Sequence, residues 1–202
     1  MSSASTSNSS ATVGVLALQG AFAAHERALD LLRVRRIEVR LPHHLERLDA
    51  LILPGGESTT MSNLLASSGL FEPLAARIAS GMPVFGTCAG MILLAAEILD
   101  GRLDQRRFDA IDIAVRRNGY GRQNDSFETD LVVSGLTAPF HACFIRAPKV
   151  VRLGSGVEVL AEHDGVPVLV RSGSVTAAAF HPELTDDVRV HALFLRHHGL
   201  VD

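Results

Sequence analysis

Apolar residues in this chain fall into short runs closed by glycine or proline. Between these runs lie stretches in which apolar residues recur every three or four positions. Positions 12–18 are an apolar run rich in β-branched residues that ends at Gln19-Gly20, which predicts a buried strand and a turn. Positions 21–33 carry Phe22, Ala28, Leu29 and Leu32 at helical spacing. Strands are expected at 37–40 and at Ala50–Leu53, the latter stopped by Pro54-Gly55-Gly56. Helices are expected at 58–66 and Phe71–Ala79, on either side of a turn at Gly69. A strand at 83–86 then runs into Gly86-Thr87-Cys88-Ala89-Gly90, and a helix over 89–99 leaves it. Strand alternating with helix predicts a parallel sheet covered on both faces.

The second half is patterned differently. Ile111–Arg116 and positions 131–133, 142–145, 157–161, 166–171 and 174–180 all read as strands. The last two are separated by Ser172-Gly173, a tight hairpin signal. Positions 186–197, with Val190, Leu193 and Phe194 apolar, close the chain as a helix whose start is favoured by Asp186 and Asp187. The expected fold class is α/β: a single three-layer α/β/α domain over 12–202, with a mostly parallel central sheet and additional antiparallel strands in the second half. Positions 1–11 read as a disordered Ser-rich tail, and the polar region 101–110 is left unplaced.

Composition narrows the classes. At 202 residues, 47% hydrophobic and 20% charged, the chain can bury one substantial core and is globular. A net charge of -3 gives no reason to expect nucleic acid or an anionic membrane as partner. Cys88 and Cys143 do not make a disulfide framework, which points to a reducing compartment. The apolar stretch 11–24 has no lysine or arginine before it and is interrupted by Gln19-Gly20, unlike a signal peptide. The best candidate for a membrane span, 82–96, contains Pro83, Gly86 and Gly90. A soluble cytoplasmic protein is expected.

Chemistry concentrates at Cys88. A nucleophile between two glycines, after one apolar run and before another, is the pattern of a sharp strand-to-helix turn. Such a turn pushes the thiol out of the sheet, and free N–H groups of the new helix favour a thiolate or hold an oxyanion. His181-Pro182-Glu183 offers an imidazole and a carboxylate. In an extended segment, residues two apart point the same way, so Glu183 can fix the tautomer of His181 and leave its other nitrogen for a thiol. Leu53-Pro54-Gly55-Gly56-Glu57-Ser58 is a third strand-end signal, in which glycines let backbone N–H groups approach a ligand. Taken alone, the Gly-Gly pair is simply a turn.

Together these residues carry a family resemblance. The chain resembles the class I (triad-type) glutamine amidotransferases, and more narrowly the glutaminase subunits of pyridoxal 5'-phosphate synthases. The matching segments are Leu16-Ala17-Leu18-Gln19-Gly20, Leu53 to Thr60, Gly86 to Gly90, Arg117-Asn118-Gly119-Tyr120-Gly121-Arg122-Gln123, Phe144-Ile145-Arg146-Ala147-Pro148 and Phe180 to Glu183. The resemblance implies hydrolysis of L-glutamine to glutamate and ammonia, with Cys88 as nucleophile and His181 and Glu183 completing the triad. It implies that Gly56, Glu57, Ser58, Arg117, Ile145 and Arg146 bind glutamine. Backbone N–H groups near Gly56 and Ala89 would hold the oxyanion, and Gln19 would couple that hole to a docked synthase subunit, the ammonia acceptor. No cofactor is implied. A guanidinium suits the α-carboxylate of glutamine and a carboxylate such as Glu57 its α-ammonium, although which atom each side chain contacts stays open.

Three other readings stay open at this level. One is another cysteine hydrolase or thiol-stress protein on a similar sheet. A second is a non-catalytic interaction subunit, and a third is a glutaminase serving a different synthase. No metal site is expected, because adjacent residues such as His43-His44 and His197-His198 seldom converge on one ion. Cys143, in an apolar strand, reads as packing.

Overall fold

The structure, a computed structural model, describes residues 11–102, 104–119 and 126–202. Nearly all of the Ser-rich stretch and the predicted segment Tyr120-Gly121-Arg122-Gln123 lie outside the described residues. The strands in chain order are β1 (Thr12–Leu16), β2 (Arg35–Val39), β3 (Ala50–Leu53), β4 (Val84–Thr87), β5 (Ala95–Ile98) and β6 (Ile111–Arg116). They continue with β7 (Phe127–Leu131), β8 (Phe140–Phe144), β9 (Lys149–Leu153), β10 (Glu158–His163), β11 (Val166–Ser172) and β12 (Val175–Ala178). The helices are α1 (Phe22–Leu31), α2 (Ser58–Ser67), α3 (Phe71–Ala79), α4 (Ala89–Leu94) and α5 (Arg189–His197).

A seven-stranded sheet in the order β10-β11-β12-β4-β3-β1-β2 forms the centre. The strands β12, β4, β3, β1 and β2 run parallel, whereas β10, β11 and β12 are antiparallel neighbours. This is the expected α/β architecture, with the antiparallel strands contributed by the second half. Smaller sheets, β5-β6-β9 and β7-β8, lie outside it. Consecutive residues of β4 face opposite layers. Phe85 stacks on Phe194 of α5, whereas a Cβ on Gly86 would fall 2.6 Å from Leu94 of α4. α4 and α5 therefore cover opposite faces, which makes the three layers. Five parallel strands also bring their carboxyl ends to one edge, and the loops after β1, β3, β4 and β12 all open there.

Two expectations are corrected, and one strand was not foreseen. The helix expected over 89–99 stops at Leu94, where Ala95 turns extended (ψ 148°) and the chain enters β5, paired with Ile111 to Val115 of β6. The run is apolar on every side, so periodicity offers no stop signal and pairing with a distant strand decides. The His-Pro-Glu segment is not extended, because Pro182–Leu184 forms a single 3-10 turn. Proline at the first position of that turn has no N–H to leave unpaired, which suits it to a helical start as well as to an extended piece. Finally, β9 lies in a stretch that carries no clear alternation in sequence. Its burial falls from Val150 to exposed Arg152, and it is held by antiparallel pairing with β6.

Candidate active site

Cys88 sits at the junction of β4 and α4 with φ +48° and ψ -100°, a positive-φ conformation that side-chain-bearing residues rarely adopt. Its backbone N–H donates to the Ala178 carbonyl (2.8 Å), so neighbouring β12 helps clamp the turn. Gly90 permits the sharp reversal, since a Cβ there would lie 2.2 Å from the Leu53 carbonyl oxygen. Cys88 is 6% exposed and its Sγ lies 3.9 Å from the Ile145 carbonyl.

His181 follows β12, immediately beside β4 in the sheet, which brings the imidazole to the cysteine. Its Nδ1 lies 2.8 Å from Glu183 Oε1, the contact being closed by the 3-10 turn. Burial alone would lower the His181 pKa. Contact with Cys88 and with the Glu183 carboxylate outweighs burial and raises it to about 10. Glu183 is buried, which pushes its carboxyl upward, but His25 and His181 on either side hold it below the ordinary value. The arrangement is an imidazolium flanked by sulfur on one side and a buried carboxylate on the other, the geometry for nucleophilic attack followed by proton donation.

The thiol opens into a cleft of about 930 Å³. Cys88, His181, Gly56 and Glu57 line it, as do Ser58, Arg117, Ile145 and Arg146. Gly55 lies against the imidazole, and a Cβ there would be 2.3 Å from His181 Cε1. Glu57 caps α2, accepting from the Thr59 N–H (3.2 Å) and the Thr60 N–H (2.7 Å). Arg117 Nη2 donates to Glu57 Oε1 at 2.7 Å, so the two side chains assigned to opposite charges of an amino acid are here each other's partners. Burial would raise the Glu57 carboxyl, but the Thr60 and Thr59 groups and the Arg117 guanidinium hold it low. Arg146 is exposed and its backbone is left-handed, with φ +48°.

Other predicted residues stand one step back. Gln19 Oε1 accepts from the Glu57 N–H (3.2 Å), and a Cβ on Gly56 would fall 2.7 Å from the Gln19 amide. Gln19 therefore ties the loop after β1 to the loop after β3. Ala89 is fully buried beneath the cysteine turn. Ser58 lines the cleft but is nearly buried, and its hydroxyl accepts from Gln105 Nε2 (3.0 Å). Gln105 also accepts from Arg117 Nη1 (3.4 Å) and from the Thr59 hydroxyl (3.3 Å), so the unplaced polar region braces the cleft wall.

Sequence reasoning missed Gln105 and a buried histidine, His25. The signal for His25 was present: it falls on the apolar stripe of α1, three residues after Phe22 and three before Ala28. Among the described residues, Glu128, His141 and Cys143 are the one group whose potential metal-ligating atoms lie within 4.8 Å of one another. They lie on the β7–β8 hairpin, where His141 is engaged with Asp130 (2.9 Å) and Glu128 (3.1 Å).

Comparison with known proteins follows the same lines. A profile of the SNO glutamine amidotransferase family matches residues 15–199. A protein of Mycobacteroides abscessus named "Pyridoxal 5'-phosphate synthase subunit PdxT" is 56% identical over 183 residues, covering 91% of this chain and 95% of that protein. A Herpetosiphon aurantiacus protein of the same name is 56% identical over 187 residues, covering 91% and 98%. A crystal structure described as a glutamine amidotransferase superposes with a TM-score of 0.87 at 52% identity, over 93% of this chain and 98% of that one.

Proposed function

The chain belongs to the SNO glutamine amidotransferase family, and on that premise we propose that Cys88, His181 and Glu183 hydrolyse L-glutamine for a pyridoxal 5'-phosphate synthase. The observation that carries this reading is the strained Cys88 turn beside the His181–Glu183 pair, opening on a cleft with an arginine–glutamate pair in its wall. Arg117 and Glu57 offer one charge to each end of a free amino acid. Gly56, Ser58, Ile145 and Arg146 complete the glutamine site.

The Cys88 thiolate attacks the side-chain amide carbon of glutamine, and the C=O electrons move onto oxygen. Backbone N–H groups of Gly56 and Ala89 receive that oxyanion, with Gln19 setting the Gly56 loop. The tetrahedral adduct collapses as the C–N bond breaks, and His181 donates its proton to the departing amine. Ammonia leaves and a thioester remains. Neutral His181 then takes a proton from water, hydroxide adds to the thioester, and the Cys88 thiolate departs beside the regenerated imidazolium. The products are glutamate and ammonia.

Free ammonia is mostly protonated and unreactive at neutral pH, so direct transfer to an acceptor subunit has a chemical rationale. The relatives' names as subunits of a synthase support that partner. Two free cysteines favour a reducing compartment, the cytoplasm. Among the described residues no helix is long and apolar enough to cross a membrane.

The test is glutamate release from glutamine, with and without the synthase subunit, for wild type and Cys88→Ala. Turnover should rise on adding the synthase and vanish in the variant. A Cys88→Ala protein that still releases glutamate would sink the covalent mechanism. A synthase that binds without raising turnover would refute the coupling.

A further inference from the structure

The triad carboxylate has a second face. Glu183 gives Oε1 to His181, while its Oε2 is buried without a hydrogen bond among the described residues and faces His25 Nε2 at 3.5 Å. His25, on α1, is completely buried. Its Nε2 also lies 3.2 Å from Thr87 Oγ1, the residue just before Cys88, and its Nδ1 lies 2.9 Å from His191 Nε2 on α5. His191 Nδ1 has no partner among the described residues.

These contacts select one proton arrangement. A proton on His25 Nδ1 would leave the Nε2 lone pair facing the carboxylate, with Glu183 Oε2 buried and without a donor. A proton on His25 Nε2 faces both Glu183 Oε2 and Thr87 Oγ1. His25 Nδ1 then accepts from His191 Nε2–H, and the unpartnered His191 Nδ1 is a lone pair. All the N–H groups in the row His191, His25, Glu183 then point toward the carboxylate, and His181 meets it from the other side.

We propose that His25 is a positioning residue for the glutamine-hydrolysing triad: its Nε2–H, oriented by His191, holds Glu183 charged and aimed at His181. The role assigned to His181 and Glu183 rests on the glutaminase reading. Burial keeps both histidines in the row neutral, His191 down to about 3, so the row supplies a dipole rather than a charge. Among the described residues, the other titratable groups around Glu183 include His181 and Cys88 at the site, Cys143 on β8, whose carbonyl accepts from the His181 N–H (2.9 Å), and Arg27, Asp30 and Asp186, which line a surface pocket with Glu183.

The test uses the whole chain carrying Cys143→Ala, so that alkylation by iodoacetamide reports Cys88, and follows the rate against pH. Without the His25 proton, Glu183 takes up its own proton more readily. The acid limb of the alkylation profile should therefore move up by about one pH unit in His25→Leu. His25→Gln, whose amide nitrogen reaches the place of Nε2, should restore it. In a Glu183→Gln background His25→Leu should move nothing further. An acid limb in His25→Leu that coincides with that of the parent overturns the proposal. If His25→Leu does not fold, imidazole nitrogen NMR of the wild type decides: neutral His25 protonated at Nε2 supports the proposal, and protonation at Nδ1 overturns it. Alkylation needs neither glutamine nor a partner. A shifted limb in a protein that never hydrolyses glutamine supports the role of His25 while refuting the glutaminase reading.

Discussion

Replacing Cys88 by glycine should leave the protein more stable than replacing it by alanine, although both substitutions abolish turnover. Cys88 holds φ +48° with ψ -100°, outside every region open to residues with a Cβ. The Ala178 carbonyl, bonded to its N–H at 2.8 Å, helps keep it there. Such strain costs ~1–3 kcal/mol, and this combination of angles belongs near the upper end. Glycine relieves it. Against that gain stand ~0.4–1 kcal/mol from the greater freedom of glycine in the unfolded chain and up to ~0.8 kcal/mol for a lost buried methyl. Both variants lose the same sulfur and its influence on His181, so those effects cancel in the comparison. The balance favours glycine by ~1 kcal/mol, about 2–4 °C in Tm for a chain of this length. Urea denaturation at neutral pH, monitored by circular dichroism, measures the difference. An alanine variant as stable as the glycine variant, or more so, would show that the turn carries no strain.

Gly55→Ala sets a methyl 2.3 Å from His181 Cε1, so the imidazole must move off Glu183. Glutaminase turnover should fall by about 100-fold, with normal expression and folding. Arg117→Ala removes the 2.7 Å partner of Glu57 and the proposed carboxylate contact. The KM for glutamine should rise by about 10-fold or more with kcat much less affected, and a change confined to kcat would contradict a binding role. Acid should destabilise the fold. His191 is held down to about 3 by burial, with neighbouring His25 acting in the same direction, whereas in the unfolded chain it protonates near 6.5. Its neutral form is favoured fully above pH 6.5, and that contribution, up to ~5 kcal/mol, is lost as pH falls toward 3. Equal unfolding free energies at pH 7 and pH 4 would contradict this. His181 acts with the opposite sign: raised to about 10, it stabilises the fold fully below 6.5 and ceases to do so as pH rises through 10. Glu183→Gln should remove much of that alkaline loss.

The cysteine turn was legible because its requirements are local. A nucleophile flanked by glycines needs no distant partner to announce a strand-to-helix reversal, and the structure supplies the close approaches at Gly86 and Gly90 that the glycines imply. The cap that Glu57 provides for α2 is just as local, yet the sequence reading assigned Glu57 only to glutamine. The residues 181–183 were legible as a pair, but not their geometry. Proline is compatible with both an extended piece and a 3-10 turn, and packing chooses between them. The end of α4 was not legible, because an all-apolar run such as Met91 to Ala95 is equally suited to a buried helix and a buried strand.

By itself the sequence determined which residue types stand at which turns: a thiol at one strand end, an imidazole and a carboxylate at another, glycines at a third. Tertiary structure alone decided that these strand ends meet. β12, more than eighty residues after β4 in the chain, inserts beside it in parallel, so Cys88 and His181 emerge at the same edge. It also decided that Glu57 faces Arg117, and that His25 and His191, from helices at opposite ends of the chain, form a hydrogen-bonded row behind Glu183. The physical reason is the range of the interactions. Turn and capping chemistry acts over a few residues and leaves its mark in local sequence. Strand order and the burial of a charged group among distant side chains depend on how the whole core closes.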